Sequence, residues 1–248
     1  MHRNKIIKYG FLGFILLIAI TLLGLFIWSE TGTYPAGPIA QVSLETTQNM
    51  TITKDKFITF EPANQAEAGL IFYPGGLVEP TAYAPVLRMI AEEGVLVVIA
   101  PMPLNLAIFN TNAAAGVIAD FPYISKWILT GHSLGGAAAA IFADNNLTKI
   151  YGIAFWDSYP PDSSDLSDLD IPVLSIYGTM DGFPNTKNFD DKRHLLPNEA
   201  IFAPIEGANH AQFGDYGPQK GDVVAMIKME EQHEIVSKIM LDFIFQKD

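Results

Sequence analysis

The chain has no cysteine among its 248 residues. That excludes disulfides, thiolate metal sites and a cysteine nucleophile, and it leaves the redox compartment open. Basic side chains are also scarce: 15 Lys and Arg stand against 27 Asp and Glu, a net charge of -12. Three of the basic residues, Arg3, Lys5 and Lys8, fall in the first 28 residues, which hold no carboxylate; the remainder carries 12 basic against 27 acidic side chains. A body this acidic repels phosphate backbones, so nucleic acid is not an expected partner. Charged residues are only 17% of the chain and hydrophobic ones 49%, with part of the apolar excess gathered at the N-terminus. The length suits one sizeable domain with a short appendage.

Residues 11–28 read FLGFILLIAITLLGLFIW, without a charge. As a helix rising ~1.5 Å per residue, such a run approaches the ~30 Å hydrocarbon core of a bilayer. Basic residues precede it and Trp28 closes it, as an interfacial aromatic would. The positive-inside rule then places the N-terminus in the cytoplasm and everything after Glu30 outside. The expected organisation is a basic cytoplasmic tail (1–10), a transmembrane signal-anchor (11–28) with the lipid bilayer as partner, a stalk (29–47) and a domain over 48–248. The stalk is inferred from a polar stretch containing Gly and Pro. The alternative is a cleaved signal peptide and a secreted product. Against it, the apolar run exceeds the ~7–15 residues of a usual signal core, and Ser29-Glu30-Thr31 is a poor cleavage site.

From residue 50 the chain alternates short β-rich runs with helical stretches, the pattern of a mostly parallel sheet with helices on both faces. Met50–Lys54 and Lys56–Phe60 read as an opening hairpin around Asp55. Further strands are expected over 69–73, 95–100, 127–130, 150–156, 171–177 and 200–205. Helices are expected over 81–93, 111–120 and 134–144, with another in the C-terminal stretch from Asp222. The acidic, serine-rich patch 160–170 reads as a solvated loop.

Gly131-His132-Ser133-Leu134-Gly135 fits G-x-S-x-G, between an apolar strand and an alanine-rich helix. At so tight a strand-to-helix turn a serine is held strained with its hydroxyl projecting, and its neighbours two residues away must be small. The helix dipole supports negative charge developing there. With the order nucleophile, acid, histidine, Asp181 follows the apolar strand ending at Gly178, and His210 follows the last strand. A carboxylate there would orient the imidazole and stabilise its protonated form. Asp157, also at a strand end, is the alternative acid. Of the other histidines, His2 precedes the anchor, His132 is enclosed in the turn, and His194 and His233 lie in charged stretches read as surface.

An oxyanion would need two converging N–H groups. Leu134, directly after the serine, is one candidate; Gly76 in Pro74-Gly75-Gly76-Leu77 is the other, with Leu77 as its alternative. The connection between the strands at 150–156 and 171–177 is too short and polar for a large lid. An open cleft lined by Leu104, Leu106, Ile108 and Phe109 is expected.

Residues 50–248 resemble the α/β-hydrolase superfamily, most closely its small cap-less branch near the dienelactone hydrolases. The resemblance rests on Tyr73-Pro-Gly-Gly, Pro101-Met-Pro-Leu-Asn-Leu, Gly131-His-Ser-Leu-Gly-Gly and Asn209-His210-Ala-Gln-Phe213-Gly-Asp-Tyr216-Gly. It implies a Ser133–Asp181–His210 triad, no cofactor and no metal, with a small acyl compound as substrate. Dienelactone hydrolases proper use cysteine, so their particular activity is not implied. A serine esterase is the leading expectation. An acyltransferase with the same triad and a catalytically silent binding protein are the rivals, because fold alone does not settle the reaction.

Overall fold

A computed structural model describes residues 2–183 and 189–246. It divides into two compact units, one ending at Thr33 and one beginning at Tyr34. The first is a single helix, α1 (His2–Gly32). Its stretch Phe11–Gly32, of mean hydropathy 2.7, is long and apolar enough to cross a membrane, a criterion that a signal sequence also meets. The Thr21 and Thr31 hydroxyls donate to the carbonyls four residues earlier, Leu17 and Ile27. The helix thereby satisfies its own polar groups, as an apolar surrounding requires.

The second unit is built on one eight-stranded sheet: β1 (Met50–Lys54), β2 (Ile58–Pro62), β3 (Ala68–Tyr73), β4 (Val95–Ile99), β5 (Lys126–His132), β6 (Gly152–Trp156), β7 (Val173–Gly178) and β8 (Ile201–Ile205). The spatial order is β1-β2-β4-β3-β5-β6-β7-β8. The β1–β2 hairpin and the β2–β4 pair are antiparallel, and every other pairing is parallel. The six parallel strands thus all end on one edge. Strands covered on both faces should be apolar throughout, and β3, β4 and β6 are buried at every residue.

Alternation sends successive side chains to opposite layers. Leu70 and Phe72 of β3 join Val97 and Ile99 of β4 in the core under α3 (Ala84–Glu92) and α7 (Met229–Ile244). Ile71 and Tyr73 join Leu96 and Val98 under α4 (Ala113–Asp120) and α5 (Leu134–Asn145). The remaining helices are short, α2 (Pro38–Val42) and α6 (Phe189–Lys192).

Several expectations are corrected. Residues from Tyr34 to Thr47 do not form a free stalk. Gly37 N–H donates to the Asp215 carbonyl, Ala40 N–H to its carboxylate and Ala36 N–H to Glu79. A polar, Gly- and Pro-containing sequence is here fixed by distant acceptors. The final helix begins at Met229, and residues 222–228 before it are not helical. His233 is 1% exposed, because it falls on the same face of α7 as Val236, Met240 and Ile244. Within 160–170, Ser164 and Leu166 are buried, the latter through an N–H bond to the Leu195 carbonyl.

Candidate active site

β5 runs through His132 into Ser133, and α5 begins at Leu134. Ser133 has φ 51° and ψ -121°, a conformation that costs a non-glycine residue about 1–3 kcal/mol and persists only when surroundings enforce it. The enforcement is visible. Ser133 N–H donates to the Trp156 carbonyl at 3.0 Å, and its own carbonyl accepts from Gly136 N–H at 3.0 Å and from the Ser158 hydroxyl at 2.6 Å. Space is equally restrictive. A Cβ on Gly135 would lie 2.1 Å from the Tyr73 carbonyl oxygen, and one on Gly131 2.4 Å from the Gly135 carbonyl carbon. The glycine spacing is therefore demanded by backbone approaching backbone.

Asp181 follows β7 and His210 follows β8, so both side chains reach the sheet edge where Ser133 sits. His210 Nδ1 is 3.2 Å from Asp181 Oδ2, and Asp181 Oδ1 accepts Phe183 N–H at 2.8 Å. Asp157, after β6, is the second acid beside the same imidazole. Its Oδ1 accepts Gly178 N–H at 2.9 Å, whereas its Oδ2 lies 3.8 Å from His210 Nδ1 and has no hydrogen-bond partner among the described residues. Burial holds the Asp157 carboxyl well above the usual carboxylate range, the charge of Asp181 adds to this, and the Gly178 N–H opposes it. Burial thus pushes Asp157 toward its protonated form. Asp157, Asp181 and His210 each offer an atom within 4.8 Å of the others, the one group among the described residues that could close on a cation.

The loop after β3 faces the start of α5. Gly75 N–H donates to Tyr83 Oη at 3.1 Å and Leu77 N–H to the Asn105 carbonyl at 2.8 Å. Of the two loop donors considered from sequence, Leu77 is therefore committed elsewhere. Gly76 N–H has no such acceptor among the described residues, and the residue abuts Leu134, whose Cδ2 would lie 3.0 Å from a Cβ at this position.

Tyr83 Oη, accepting from Gly75, also lies 2.8 Å from His132 Nδ1. Which of the two donates depends on the His132 tautomer; His132 Nε2 is buried without a hydrogen-bond partner among the described residues. The His132 ring is 4.4 Å from that of His210. Burial keeps His132 from charging, and the proximity of His210 adds to this.

A pocket of about 350 Å³ opens over these groups, lined by Ser133, Leu134, Ala137, Tyr159, Phe183 and His210 among others. The connection from β6 to β7 supplies one wall. Leu104, Leu106, Ile108 and Phe109 do not line it, contrary to expectation; Leu77 binds Asn105 and holds their loop beside the Gly76 turn. A cavity of similar size, about 390 Å³, lies at the other sheet edge around Tyr151, Val173 and Phe243, and holds no nucleophile or histidine.

Ser158, Tyr83 and Phe183 were not singled out by sequence. Only Ser158, next to a strand-end acid, carried any local signal.

The chain matches the sequence profile of the alpha/beta hydrolase family over residues 69–234, about two thirds of its length. No curated protein sequence matches it. Among solved structures, it is similar to an α/β hydrolase enzyme from the sediment metagenome of the Mar Chica lagoon, Morocco, at 17% identity and TM-score 0.58, covering 79% of this chain and 99% of that one. A thermophilic esterase from Thermogutta terrifontis aligns at 14% identity and TM-score 0.56, covering 79% and 96%. A dienelactone hydrolase from Anabaena variabilis aligns at 14% identity and TM-score 0.54, covering 76% and 92%. With its strand order, its strained serine turn and this profile match, the chain belongs to the alpha/beta hydrolase family.

Proposed function

We propose that the protein is a serine-dependent carboxylic-ester hydrolase, held at a membrane by α1 with its N-terminus cytoplasmic. The observation that carries this reading is one pocket holding both Ser133, at positive φ on the first turn of α5, and His210, whose Nδ1 lies 3.2 Å from Asp181. The esterase among the similar structures agrees with it.

In this reading Ser133 Oγ forms a bond to the ester carbonyl carbon as its proton passes to His210 Nε2. Asp181 accepts the Nδ1–H and stabilises the imidazolium. The carbonyl electron pair becomes an oxyanion, taken up by the Leu134 and Gly76 N–H groups at the positive end of α5. Collapse breaks the C–O bond, and His210 returns the proton to the departing alkoxide. Water then repeats the sequence on the acyl-enzyme and releases the acid.

The test is a burst experiment with p-nitrophenyl acetate on the full chain, quenched in acid and digested. An acetyl adduct is expected on the peptide containing Ser133, and none in Ser133→Ala. Turnover in Ser133→Ala at the wild-type rate would refute the proposal.

A further inference from the structure

Asp181 and His210 reach each other from separate loops. Asp181 follows β7, and His210 follows β8, the last strand of the sheet, which pairs with β7 on one side only. Two ties join these loops at residues that precede the pair in the chain. Met180 N–H donates to the Ala208 carbonyl at 2.8 Å, and Gly207 N–H donates to the Thr179 hydroxyl at 2.9 Å. Gln232 of α7, fully buried, adds a hold on the residue before the histidine. Its Oε1 accepts Asn209 N–H at 3.2 Å, and its Nε2 donates to the Asn209 carbonyl at 2.9 Å.

On the other side of the pair, both loops meet one carboxylate. Asp222 Oδ1 accepts Gly182 N–H at 3.0 Å, and its Oδ2 accepts Ala211 N–H at 2.8 Å. Gly182 directly follows Asp181, and Ala211 directly follows His210. Oδ1 also takes the Val223 N–H at 2.8 Å, so three donors converge on a group that only accepts. Bonds of this charge-assisted kind are roughly twice as strong as neutral ones. The approach is close: a Cβ on Gly182 would lie 2.5 Å from the Val223 nitrogen and 2.7 Å from Asp222 Cα. Asp222 is itself anchored. Its N–H donates to the Gln219 carbonyl at 3.1 Å, and Asn209 Nδ2 donates to the Val223 carbonyl at 2.7 Å.

We propose that Asp222 is a positioning residue for the reaction at Ser133: its carboxylate clasps the Asp181 loop to the His210 loop and keeps the pair within hydrogen-bond reach. The proposal rests on reading Ser133, His210 and Asp181 as a serine-hydrolase triad. Asp222 does not line the pocket, so it acts through the pair rather than on the substrate. His210 Nδ1 and Asp181 Oδ2 stand 3.2 Å apart, at the long end of the N–H···O range, and a slight parting of the loops breaks the contact. Misplacement by ~1 Å costs about 10²-fold in rate.

The test is the rate of fluorophosphonate labelling at Ser133 in the full-length protein in detergent, with thermal melts to confirm folding. Asp222→Asn keeps the shape but has one oxygen, so its amide nitrogen faces a bound N–H and that arm of the clasp is lost. Its maximal labelling rate should fall about tenfold and that of Asp222→Ala about 10²-fold, with the half-saturating probe concentration within about twofold of wild type. Thr179→Val cuts a tie between the same loops that precedes the pair, and its rate should stay within about twofold of wild type. In the Asp181→Asn background, where the pair is already broken, adding Asp222→Asn should cost less than about twofold.

A tenfold loss that persists in the Asp181→Asn background, or an equal loss in Thr179→Val, would mean general loosening of the loops and overturns the proposal. So does labelling of folded Asp222→Asn and Asp222→Ala at the wild-type rate, or a change confined to the half-saturating concentration. In each of these cases a wild type labelled at Ser133 leaves the hydrolase reading standing. A folded wild type that takes no label at Ser133 overturns that reading, and the clasp with it.

Discussion

Two carboxylates flank one imidazole, and their neutral isosteres should behave very differently. Asp181 Oδ2 lies 3.2 Å from His210 Nδ1, whereas Asp157 Oδ2 stands at 3.8 Å, outside hydrogen-bond range, and burial raises its pKa well above the usual carboxylate range. An imidazolium–carboxylate pair at this separation is worth about 5 kcal/mol at an effective dielectric of ~20. That charge is needed only once His210 has taken the serine proton, so its loss appears in the barrier. Asp181→Asn should then lower kcat/KM about 10³- to 10⁴-fold, at roughly tenfold per 1.4 kcal/mol. Asp157→Asn removes a charge that burial already disfavours. Asparagine can still accept the Gly178 N–H and tolerates the positive φ of 39°, so kcat/KM should fall less than about tenfold. Both variants are assayed on a soluble short-chain ester near pH 7.5, with thermal melts to confirm folding. Loss of about 10³-fold in Asp157→Asn, with near-wild-type activity in Asp181→Asn, would refute the assignment and transfer the role to the β6 acid.

Three further outcomes follow from particular contacts. Gly135→Ala would place a Cβ 2.1 Å from the Tyr73 carbonyl oxygen and 2.5 Å from that of Pro74; since backbone yields little, urea unfolding should show a loss of about 3 kcal/mol. Wild-type stability would show that the turn relaxes. Tyr83→Phe removes the acceptor of Gly75 N–H and the partner of His132 Nδ1. It should lower kcat about tenfold through displacement of the adjacent Gly76 amide, with KM nearly unchanged; a rise in KM alone would contradict this.

The third outcome concerns acid. His233 is buried neutral, its pKa lowered from 6.5 to about 4 chiefly by burial. Between those values the unfolded chain binds the proton and the folded one does not, so stability falls as pH drops through the window. Between pH 6.5 and 4, wild type should lose about 3 kcal/mol more than His233→Gln in urea titrations of the full chain in detergent. Parallel curves would mean that His233 is hydrated.

What could be read from sequence was whatever local sterics impose. The Gly131–Gly136 pattern announces a strained serine turn because each glycine meets backbone from the adjoining turn or strand. The strand order could not be read along the chain, but the alternation of Leu70, Ile71, Phe72 and Tyr73 between two cores follows from their sequence alone. The choice between Gly76 and Leu77 was not legible, since it turns on the Asn105 carbonyl, which takes the Leu77 N–H from 28 residues away. The tether was misread for a related reason. Residues 34–47 are polar and contain glycine and proline, yet Glu79 and Asp215 bind their amides across the fold. His233 was misread despite a usable signal: its spacing to Val236, Met240 and Ile244 marks the inner face of α7. The sequence favoured Asp181 over Asp157 although each ends an apolar strand, and the distances to His210 Nδ1, 3.2 and 3.8 Å, lie in the same direction.

The most direct measurement is covalent labelling of the full-length protein with a fluorophosphonate probe, beside Ser133→Ala and His210→Ala. An activated serine requires labelling of wild type at Ser133, none in Ser133→Ala, and a rate reduced by orders of magnitude in His210→Ala. A folded wild-type protein that takes no label, or one labelled equally in Ser133→Ala, would contradict a nucleophilic Ser133 and with it the proposed chemistry.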